Sequence, residues 1–362
     1  MPNNKIFISA GDLSGEIHAA NLVREIKKIN PSCYISCAGG TNLKSVSDNF
    51  IEDIVNINAF GFLPVKQIFF LKNVLKKLVK YFETEKPEKV ILTDYYGFHI
   101  HVAKAAKKLN IPVYYYISPQ VWASRSGRIK TLAKNIKKML CILPFEEKLY
   151  KDNGIDAVFV GNPLIDIVPE KQSFKQNFES SKLPVIGLFP GSRKSVIKKH
   201  MPIILETAKI LREKLNAEFM MFAVNKELNY KLPEYIKFET GNDFEKRRLA
   251  DIAICPSGTV SLENSLLGIP MAVMYKLSYF NYFLIKMIAK VKYITIVNIM
   301  ADRVIIPEFI QFDAKPEKIA ESVISQINPE QYSAKVKELL EFRKMFGRPG
   351  VSKRAAEIIL ND

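Results

Sequence analysis

The feature that most constrains the fold of this chain is a repeated order of strand, tight turn and helix. Its clearest instance is residues 251–270, with the sequence DIAICPSGTVSLENSLLGIP. An apolar run at 252–255 breaks at PSGT, and apolar residues return at helical spacing until Gly268 and Pro270 end the helix. Because strands and helices alternate along the rest of the chain too, the sequence predicts an α/β fold with parallel, doubly wound sheets.

The alternation stops once and restarts, which predicts two domains. The polar stretch at 166–184 indicates a linker, and a new strand begins at Val185. We expect two Rossmann-like domains facing across a cleft, an N-terminal one at 1–165 and a second one at 185–330. For the C-terminal helices at 331–362 two interpretations stay open, packing on the first domain or on a partner subunit. A chain of 362 residues is long enough for two such cores.

Tight turns in the second half predict a site for a diphosphate. The turn at 256–259 would place backbone N–H groups and the positive end of a helix at the carboxyl edge of the sheet. Gly191, Ser192 and Arg193 follow another predicted strand, and an arginine can hold phosphate oxygens with two hydrogen bonds. The alternative for Arg193, a surface arginine, is disfavoured by the helix dipole. Glu263 lies within reach of a nucleotide's ribose hydroxyls, although an acid that only offsets the dipole is the alternative.

Candidate bases follow the predicted strands of the first half. Strand 5–10 leads into GDLSGE and a predicted helix at 17–28, an arrangement that resembles a nucleotide cradle without the full GxGxxG spacing. Four ionisable residues lie at or just beyond strand ends, the edge where such sheets bind ligands: Asp12, Glu16, His18 and Asp94. Each alone is more typical of a helix cap or a solvated residue, but as a group they predict one general base.

The chain carries 53 Lys and Arg against 37 Asp and Glu, a net charge of +16. Such an excess implies an anionic partner, which could be nucleic acid, an anionic lipid surface or a phosphorylated substrate. Two amphipathic, lysine-edged stretches at 66–82 and 279–293 are candidates for a bilayer surface or for acyl chains, with an ordinary core-facing helix as the alternative. The lysines are dispersed and no nucleic-acid-reading motif is found, so we expect no nucleic-acid partner.

Several patterns are missing from the sequence. The four cysteines form no CxxC pair, which predicts reduced thiols and a cytosolic protein. There is no signal-peptide pattern and no uninterrupted run of about 20 apolar residues. His99 and His101 diverge on a predicted helix and no Asp-x-Asp pair is found, so we expect neither a metal nor a cofactor.

A set of motifs gives the chain a family resemblance. In chain order they are ISAGDLSGE (8–16), YYYISPQVWASRSGR (114–128), LPFEEKLY (143–150), VGNPLID (160–166), LFPGSRKS (188–195), SGTVSLENSLLGIPM (257–271) and VNIMADRVIIPEFIQ (297–311). They span nearly the whole chain, and PQVWAxR, PGSR and SGTxxLExxLLGxPM are specific in combination. The sequence resembles the lipid-A-disaccharide synthases.

The resemblance implies a GT-B glycosyltransferase that is inverting and independent of metal. It would move 2,3-diacylglucosamine from UDP-2,3-diacylglucosamine to the 6-hydroxyl of 2,3-diacylglucosamine 1-phosphate and release UDP. It would work as a peripheral enzyme on the anionic cytoplasmic face of a Gram-negative inner membrane. The oligomeric state is left open, with a homodimer as one alternative.

The family's motifs also imply roles for single residues. The positions for UDP binding are Gly191, Ser192, Arg193, Ser257, Gly258, Thr259 and Glu263. The positions on the acceptor side are Ser14, Gly15, Trp122 and Arg125. The catalytic candidates are, as bases and in this order, Asp94, Glu16 and His18, and Arg193 to neutralise the charge that develops on UDP.

The acceptor side departs from the family pattern. Where the family has an acidic pair in a DAPDFN-like run, this chain has DYYGFH. Asp94 matches the first acid, but Gly97 replaces the second, which is a candidate base of the family. GDLSGE stands for GEASGD, Pro64 for a glutamate and Ser124 for an aromatic residue. The base therefore stays unassigned, and two alternatives stay open: a non-catalytic UDP- or lipid-binding protein of the same fold, and a UDP-sugar epimerase.

Overall fold

The protein folds into two compact units, each of which has its own sheet. The computed structural model describes residues 4–55, 64–123, 127–169, 183–192, 194–223, 232–241, 243–278, 282–283, 287 and 291–362. Unit 1 contains Met1–Asp166 and Phe346–Asp362, and unit 2 contains Ile167–Met345. Both ends of the chain therefore belong to unit 1.

Unit 1 is built on a seven-stranded parallel sheet. Its strands are β1 Lys5–Ala10, β2 Tyr34–Gly39, β3 Asn49–Asp53, β4 Lys89–Thr93, β5 Val113–Tyr116, β6 Lys138–Cys141 and β7 Asp156–Phe159. They lie in the order β3-β2-β1-β4-β5-β6-β7. The helices are α1 Leu13–Ile29, α2 Thr41–Lys44, α3 Pro64–Glu85, α4 Tyr96–Lys108, α5 Arg128–Ala133, α6 Pro144–Lys151, α7 Leu164–Ile167 and the last helix of the chain, α14 Val351–Asn361. A short 3₁₀ helix, Val121–Ala123, follows β5.

The core of unit 1 has two layers, one on each face of the sheet. Phe7 of β1 points into one layer, where it packs with Leu78 of α3. Its neighbour Ile8 points into the other layer, with Leu22 of α1 and Ile359 of α14. Because helices cover both faces of this parallel sheet, its strands are apolar at successive positions rather than at alternate ones.

The last helix is fixed to unit 1 by a cap and an arginine. The Asp166 carboxylate accepts hydrogen bonds from the backbone N–H groups of Gly350 (2.7 Å) and Val351 (3.0 Å), where α14 begins. A carboxylate at this position satisfies unpaired N–H groups and opposes the positive end of the helix. The Arg354 guanidinium donates to the Val160 carbonyl, 2.9 Å from Nη2. The C-terminal segment is thus an integral part of unit 1.

Unit 2 is built on a six-stranded sheet. Its strands are β8 Val185–Leu188, β9 Glu218–Ala223, β10 Ile236–Thr240, β11 Ile252–Pro256, β12 Met271–Tyr275 and β13 Glu308–Ile310, in the order β10-β9-β8-β11-β12-β13 with parallel neighbours. Its described helices are α8 Lys194–Lys214, α9 Phe244–Arg247, α10 Thr259–Leu266, α11 Ile296–Ala301, α12 Pro316–Ile327 and α13 Pro329–Lys344. Sequence order reverses on either side of β8 and β11, so the loops that follow these two neighbours meet at a switch point, where such sheets bind ligands.

The predicted class, two parallel α/β sheets, is confirmed, but the predicted start of the first helix is wrong. Helix α1 begins at Leu13 rather than at Ile17, because the Asp12 side chain accepts from the Gly15 N–H at 2.8 Å and caps the helix there. Ser14, Gly15 and Glu16 therefore lie in the first helical turn and not in a loop before it.

Helix α3 is amphipathic, but its apolar stripe is only partly covered. Val74, Leu78 and Phe82 are buried against the sheet. Nearer the start of the helix, Ile68 and Phe69 are 54% and 63% exposed. Among the described residues no helix is long and apolar enough to cross a membrane. The stretch 279–293 lies mostly outside the described residues.

Candidate functional site

The turn that follows β11 depends on a glycine with positive φ and on a serine that hydrogen-bonds to a neighbouring loop. Gly258 has φ +137°, a conformation that residues with a Cβ rarely adopt. The Ser257 hydroxyl donates to the Ile294 carbonyl at 2.7 Å, and the Gly258 N–H donates to the Ser261 hydroxyl at 3.3 Å. Thr259 is the first residue of α10 and is exposed. The N-terminal end of α10 is therefore presented to solvent on a fixed turn.

The turn that follows β8 lies beside it. Gly191 has φ +101°, and a Cβ there would lie 3.3 Å from Val196 and 3.5 Å from Pro256. Ser192 is exposed, and α8 begins two residues later. Since β8 pairs with β11, the structure brings Gly191 and Ser192 to the same sheet edge as the turn after β11. Arg193, the predicted phosphate ligand, lies outside the described residues.

Glu263 is buried and paired with an arginine that the sequence did not point to. The Arg247 Nη1 atom lies 2.5 Å from Glu263 Oε2, and both side chains are buried. The guanidinium also lies 5.3 Å from the ring centroids of Phe189 and Phe244. Among the described residues, only Oε2 of this carboxylate has a hydrogen-bond donor. The other oxygen, Oε1, has no hydrogen-bond donor in this part of the structure.

Residues of the motif at 297–311 form hydrogen bonds with the segment that anchors the turn after β11. The Glu308 carboxylate accepts from the N–H groups of Ile294 and Thr295, both at 2.9 Å. The Asn298 amide donates to Glu308 at 2.8 Å and accepts from the Ile306 N–H at 2.9 Å. Because the Ile294 carbonyl receives the Ser257 hydroxyl, one hydrogen-bonded network links Glu308 to the turn after β11. No role was predicted for Asn298 or Glu308, although their motif was recognised.

In unit 1, Asp94 lies on an unusual corner at the end of β4. Asp94 and Tyr95 have φ +46° and +49°, two successive non-glycine residues in the left-handed region. The Asp94 carbonyl accepts from the His99 Nδ1–H at 2.8 Å and from the Tyr115 hydroxyl. Because a carbonyl only accepts, His99 must carry its proton on Nδ1, and Nε2 then accepts from the Ser9 hydroxyl at 3.0 Å. This network holds the strained corner in place.

The Asp94 side chain is adapted to take up a proton near neutral pH. Burial raises the pKa of this carboxyl to about 6, and the negative charge of Asp12 adds to the rise, while the Tyr95 N–H opposes it. Asp12 is held nearby because it caps α1. A carboxylate with such a pKa is ionised at neutral pH and is a far better base than an ordinary aspartate.

The other two candidate bases occupy less suitable surroundings. Glu16 is buried and its carboxylate accepts from the Leu43 N–H at 3.0 Å and the Asn42 amide at 3.3 Å, so it anchors α2. His18 is buried, and burial lowers its pKa to about 4, against the opposing charges of Asp12 and Asp166. Beside them at the start of α1, Ser14 is exposed and Gly15 is buried.

Trp122 is held by a buried glutamate. Its indole Nε1–H donates to Glu146 Oε1 at 3.0 Å, and the ring meets Phe145 edge to face with centroids 5.0 Å apart. The second carboxylate oxygen accepts from the Leu143 N–H at 3.2 Å. Burial raises the pKa of Glu146 to about 7. Glu146 was not predicted as a site residue, although an acid three residues after Leu143 is typical of a helix cap. Arg125 lies outside the described residues.

The described residues contain no group of three His, Cys, Asp or Glu that could hold a metal ion. His99 is buried and His101 is exposed on α4, so the two rings point in different directions as their spacing predicts.

Comparison with known proteins identifies the family. The family model for lipid-A-disaccharide synthetase matches residues 6–360. The chain belongs to the lipid-A-disaccharide synthase family. It is 35% identical to the lipid-A-disaccharide synthase of Syntrophus aciditrophicus over 375 residues, covering 99% of this chain and 98% of that protein. It is 32% identical to that of Geobacter metallireducens over 376 residues, covering 99% and 97%. The family and the enzyme class predicted from the sequence are therefore confirmed.

Solved structures of lower similarity share the fold. The UDP-GlcNAc 2-epimerase from Neisseria meningitidis, solved with UDP-GlcNAc bound, has a TM-score of 0.65 at 15% identity and covers 99% of this chain and 100% of that one. Acinetobacter baumannii MurG has a TM-score of 0.62 at 14% identity, with the same coverage. At this identity the epimerases support the fold and not an epimerase activity, whereas relatives above 30% identity are named as synthases.

Proposed function

We propose that this lipid-A-disaccharide synthase family member is an inverting, metal-independent glycosyltransferase. It transfers 2,3-diacylglucosamine from its UDP carrier to the 6-hydroxyl of 2,3-diacylglucosamine 1-phosphate. The acceptor oxygen attacks the anomeric carbon, the bond from that carbon to the UDP oxygen breaks, and the hydroxyl proton passes to a base. The products are the β(1→6) disaccharide 1-phosphate and UDP.

The observation that carries this proposal is the environment of Asp94. A one-step inverting transfer needs a base that is ionised at the working pH and yet has a pKa close to it. The Asp94 carboxyl meets this requirement, with a pKa of about 6, at the carboxyl edge of the sheet where parallel α/β folds bind ligands. Glu16 is occupied with α2, and the low pKa of His18 makes it a weak base. We therefore assign the base to Asp94.

Unit 2 is proposed to bind the UDP group. Gly191, Ser192, Ser257, Gly258 and Thr259 surround the N-terminal ends of α8 and α10, whose free N–H groups and positive dipoles favour a diphosphate. Glu263 accepts from the ribose hydroxyls through Oε1, and Arg193 neutralises the charge that develops on the leaving group. Ser14, Gly15, Trp122 and Arg125 are proposed to contact the acceptor.

The enzyme is proposed to act at a membrane surface. Both substrates carry acyl chains, and the net charge of +16 favours an anionic surface. The start of α3 combines the exposed Ile68 and Phe69 with the exposed Lys66 and Lys72. Apolar side chains beside lysines are typical of an interfacial helix. We place the enzyme at the inner face of the inner membrane and leave the homodimer as a proposal.

The test is UDP release from UDP-2,3-diacylglucosamine, measured with and without the acceptor lipid. We expect UDP and disaccharide to form in equal amounts and only when the acceptor is present. Asp94→Asn is the matched control, because it removes the base and keeps the shape of the side chain. Binding of UDP without release would instead indicate a non-catalytic protein, and a changed sugar without a disaccharide would indicate an epimerase.

A further inference from the structure

The Glu146 carboxyl is among the most deeply buried ionisable groups of unit 1. The residue is 1% exposed and lies in the first turn of α6. The donors around it are uncharged: Oε1 accepts from the indole N–H of Trp122 and Oε2 from the backbone N–H of Leu143, and the Ser118 hydroxyl and the Ile142 N–H also favour the ionised form of the carboxyl. The mechanism proposed above does not use this group, so its position needs a separate explanation.

The two donors distinguish the charged form of this side chain from the neutral form. An ionised carboxylate only accepts, so it satisfies both N–H groups together. When a proton binds, one oxygen becomes a donor and faces another donor, and one of the two contacts is lost. The Leu143 N–H belongs to the backbone between β6 and α6 and is fixed. Trp122 is the middle residue of a short 3₁₀ helix and its side chain is half-buried, so its ring is the partner that can move.

We propose that Glu146 is a positioning residue of the acceptor side, whose ionised carboxylate holds the Trp122 ring in place and whose protonation releases it. The inference rests on the proposed function, in which Trp122 contacts the acceptor. It adds that the protonation state of Glu146 regulates this contact, because the acceptor side is fully ordered only when this carboxyl is ionised.

The groups around Glu146 allow it to titrate alone. Burial raises its pKa to about 7, and the nearby Ser118 hydroxyl and Trp122 indole oppose this rise. The Cys141 thiol of β6 and the Tyr150 hydroxyl of α6 also face it, and burial raises the pKa of each, so both stay protonated. The neighbouring Glu147 differs, because its ion pair with Lys151 at 2.6 Å lowers its pKa. In this cluster, Glu146 is therefore the group that changes charge near neutral pH.

The linkage between protonation and folding argues against a merely structural role. The pKa of Glu146 is higher in the folded protein than its ordinary value of 4.5. The folded state therefore binds more protons than the unfolded state between about pH 4.5 and 7, and stability falls as the pH rises through this range. The ionised carboxylate thus opposes folding at the pH where it holds Trp122. A neutral side chain of the same shape would serve stability better.

The single tryptophan of the chain makes the proposal directly measurable. Fluorescence of the full-length protein reports Trp122 alone and can be followed between about pH 5 and 9. We expect one transition with a midpoint near 7. Glu146→Gln should abolish it, because an amide offers one acceptor oxygen and cannot satisfy both donors at any pH. Glu147→Gln is the matched control, since it removes a neighbouring carboxylate of α6 and should leave the transition in place.

Two further measurements separate positioning from structure and from catalysis. Urea denaturation at about pH 8 should show Glu146→Gln to be about as stable as the parent protein, because removal of a buried charge offsets the loss of one N–H contact. Its KM for the acceptor lipid should rise with UDP affinity unchanged. A flat fluorescence titration, or a transition that persists in Glu146→Gln, would overturn the proposal. Because fluorescence needs no substrate, this outcome is independent of whether the transferase assay succeeds.

Discussion

At the scale of single residues, the chemistry of this protein depends on carboxyl groups in unequal surroundings. Asp94 is half-buried and stays close to a second acid, so its pKa rises, whereas Glu16 has two donors and serves as an anchor. One carboxylate oxygen of Glu263 pairs with the buried Arg247 guanidinium, and the other has no cation beside it among the described residues. The environment, rather than the residue type, therefore distinguishes the proposed base from the anchor and from the proposed nucleotide ligand.

We predict that kcat/KM for transfer falls at low pH with a limb near 6, because Asp94 must be ionised to accept the proton. Asp12→Asn should move this limb to lower pH, since it removes the negative charge that helps to raise the Asp94 pKa and since asparagine still caps a helix. Asp94→Asn should lower transfer by about 10²–10⁴ while UDP affinity is kept. If Asp12→Asn left the pH profile unchanged, the loss of activity at low pH would have to come from a group other than Asp94.

Glu263→Gln is expected to weaken UDP binding by about 1–3 kcal/mol, because a charged acceptor is lost from the ribose hydroxyls. The same change leaves the buried Arg247 guanidinium without its counter-charge, which should cost up to about 3–5 kcal/mol of stability. Calorimetry measures the first effect and urea denaturation the second. Glu239→Gln is the control, because its pair with Lys246 is more exposed and should matter little to either. Unchanged UDP affinity in folded Glu263→Gln would remove the residue from the nucleotide site.

At the scale of elements, the ends of helices carry most of the proposed site. The N-terminal ends of α8 and α10 follow neighbouring strands, and the start of α4 follows the corner at Asp94. At that start the chain departs from the family pattern, with Gly97 as the second residue of α4. Gly97 is exposed, and a Cβ added there would meet nothing within 4 Å.

Gly97→Asp should therefore fold normally and raise stability by about 0.3–1 kcal/mol, because an acid in the first turn opposes the helix dipole. Urea denaturation measures this, with Gly97→Asn as the uncharged control. If an acid at this position can act as the base, the change should also restore transfer to Asp94→Asn. A loss of stability in Gly97→Asp would mean that the start of α4 has no room for a side chain.

The order of strands and helices could be predicted from the sequence because it depends on local hydrophobic patterns. Residues 251–270 show this most clearly, since their strand, turn and helix lie where the pattern places them. The start of α1 was predicted too late because Gly15 favours a turn in the sequence pattern, whereas the Asp12 side chain caps the helix before it. The pairing of Arg247 with Glu263, and that of Trp122 with Glu146, joins separate elements and leaves no local pattern. Buried polar partners of this kind become visible only in three dimensions.

At the scale of the whole molecule, the proposed membrane association rests on net charge and on exposed apolar side chains. We predict that changing Lys72, Lys76 and Lys80 of α3 to glutamate abolishes sedimentation with anionic vesicles, because each lysine contributes about 1 kcal/mol near such a surface. The same three changes at Lys104, Lys107 and Lys108 of α4, which are also exposed, alter the net charge equally and serve as control. Equal loss in both variants would indicate a general charge effect, and continued sedimentation of the α3 variant would place the docking surface elsewhere.

The return of the chain to unit 1 has a consequence for the order in which the protein is made. Residues 167–345 are inserted between two parts of unit 1, and α14 supplies Ile359 to the layer beside α1. Residues that leave the ribosome after unit 2 therefore complete a unit whose other part left it before unit 2. Until then, the apolar layer that α14 will cover stays open to water, and a chain released early would expose it to other chains. Unit 2, whose residues are contiguous, can close its own core before unit 1 does.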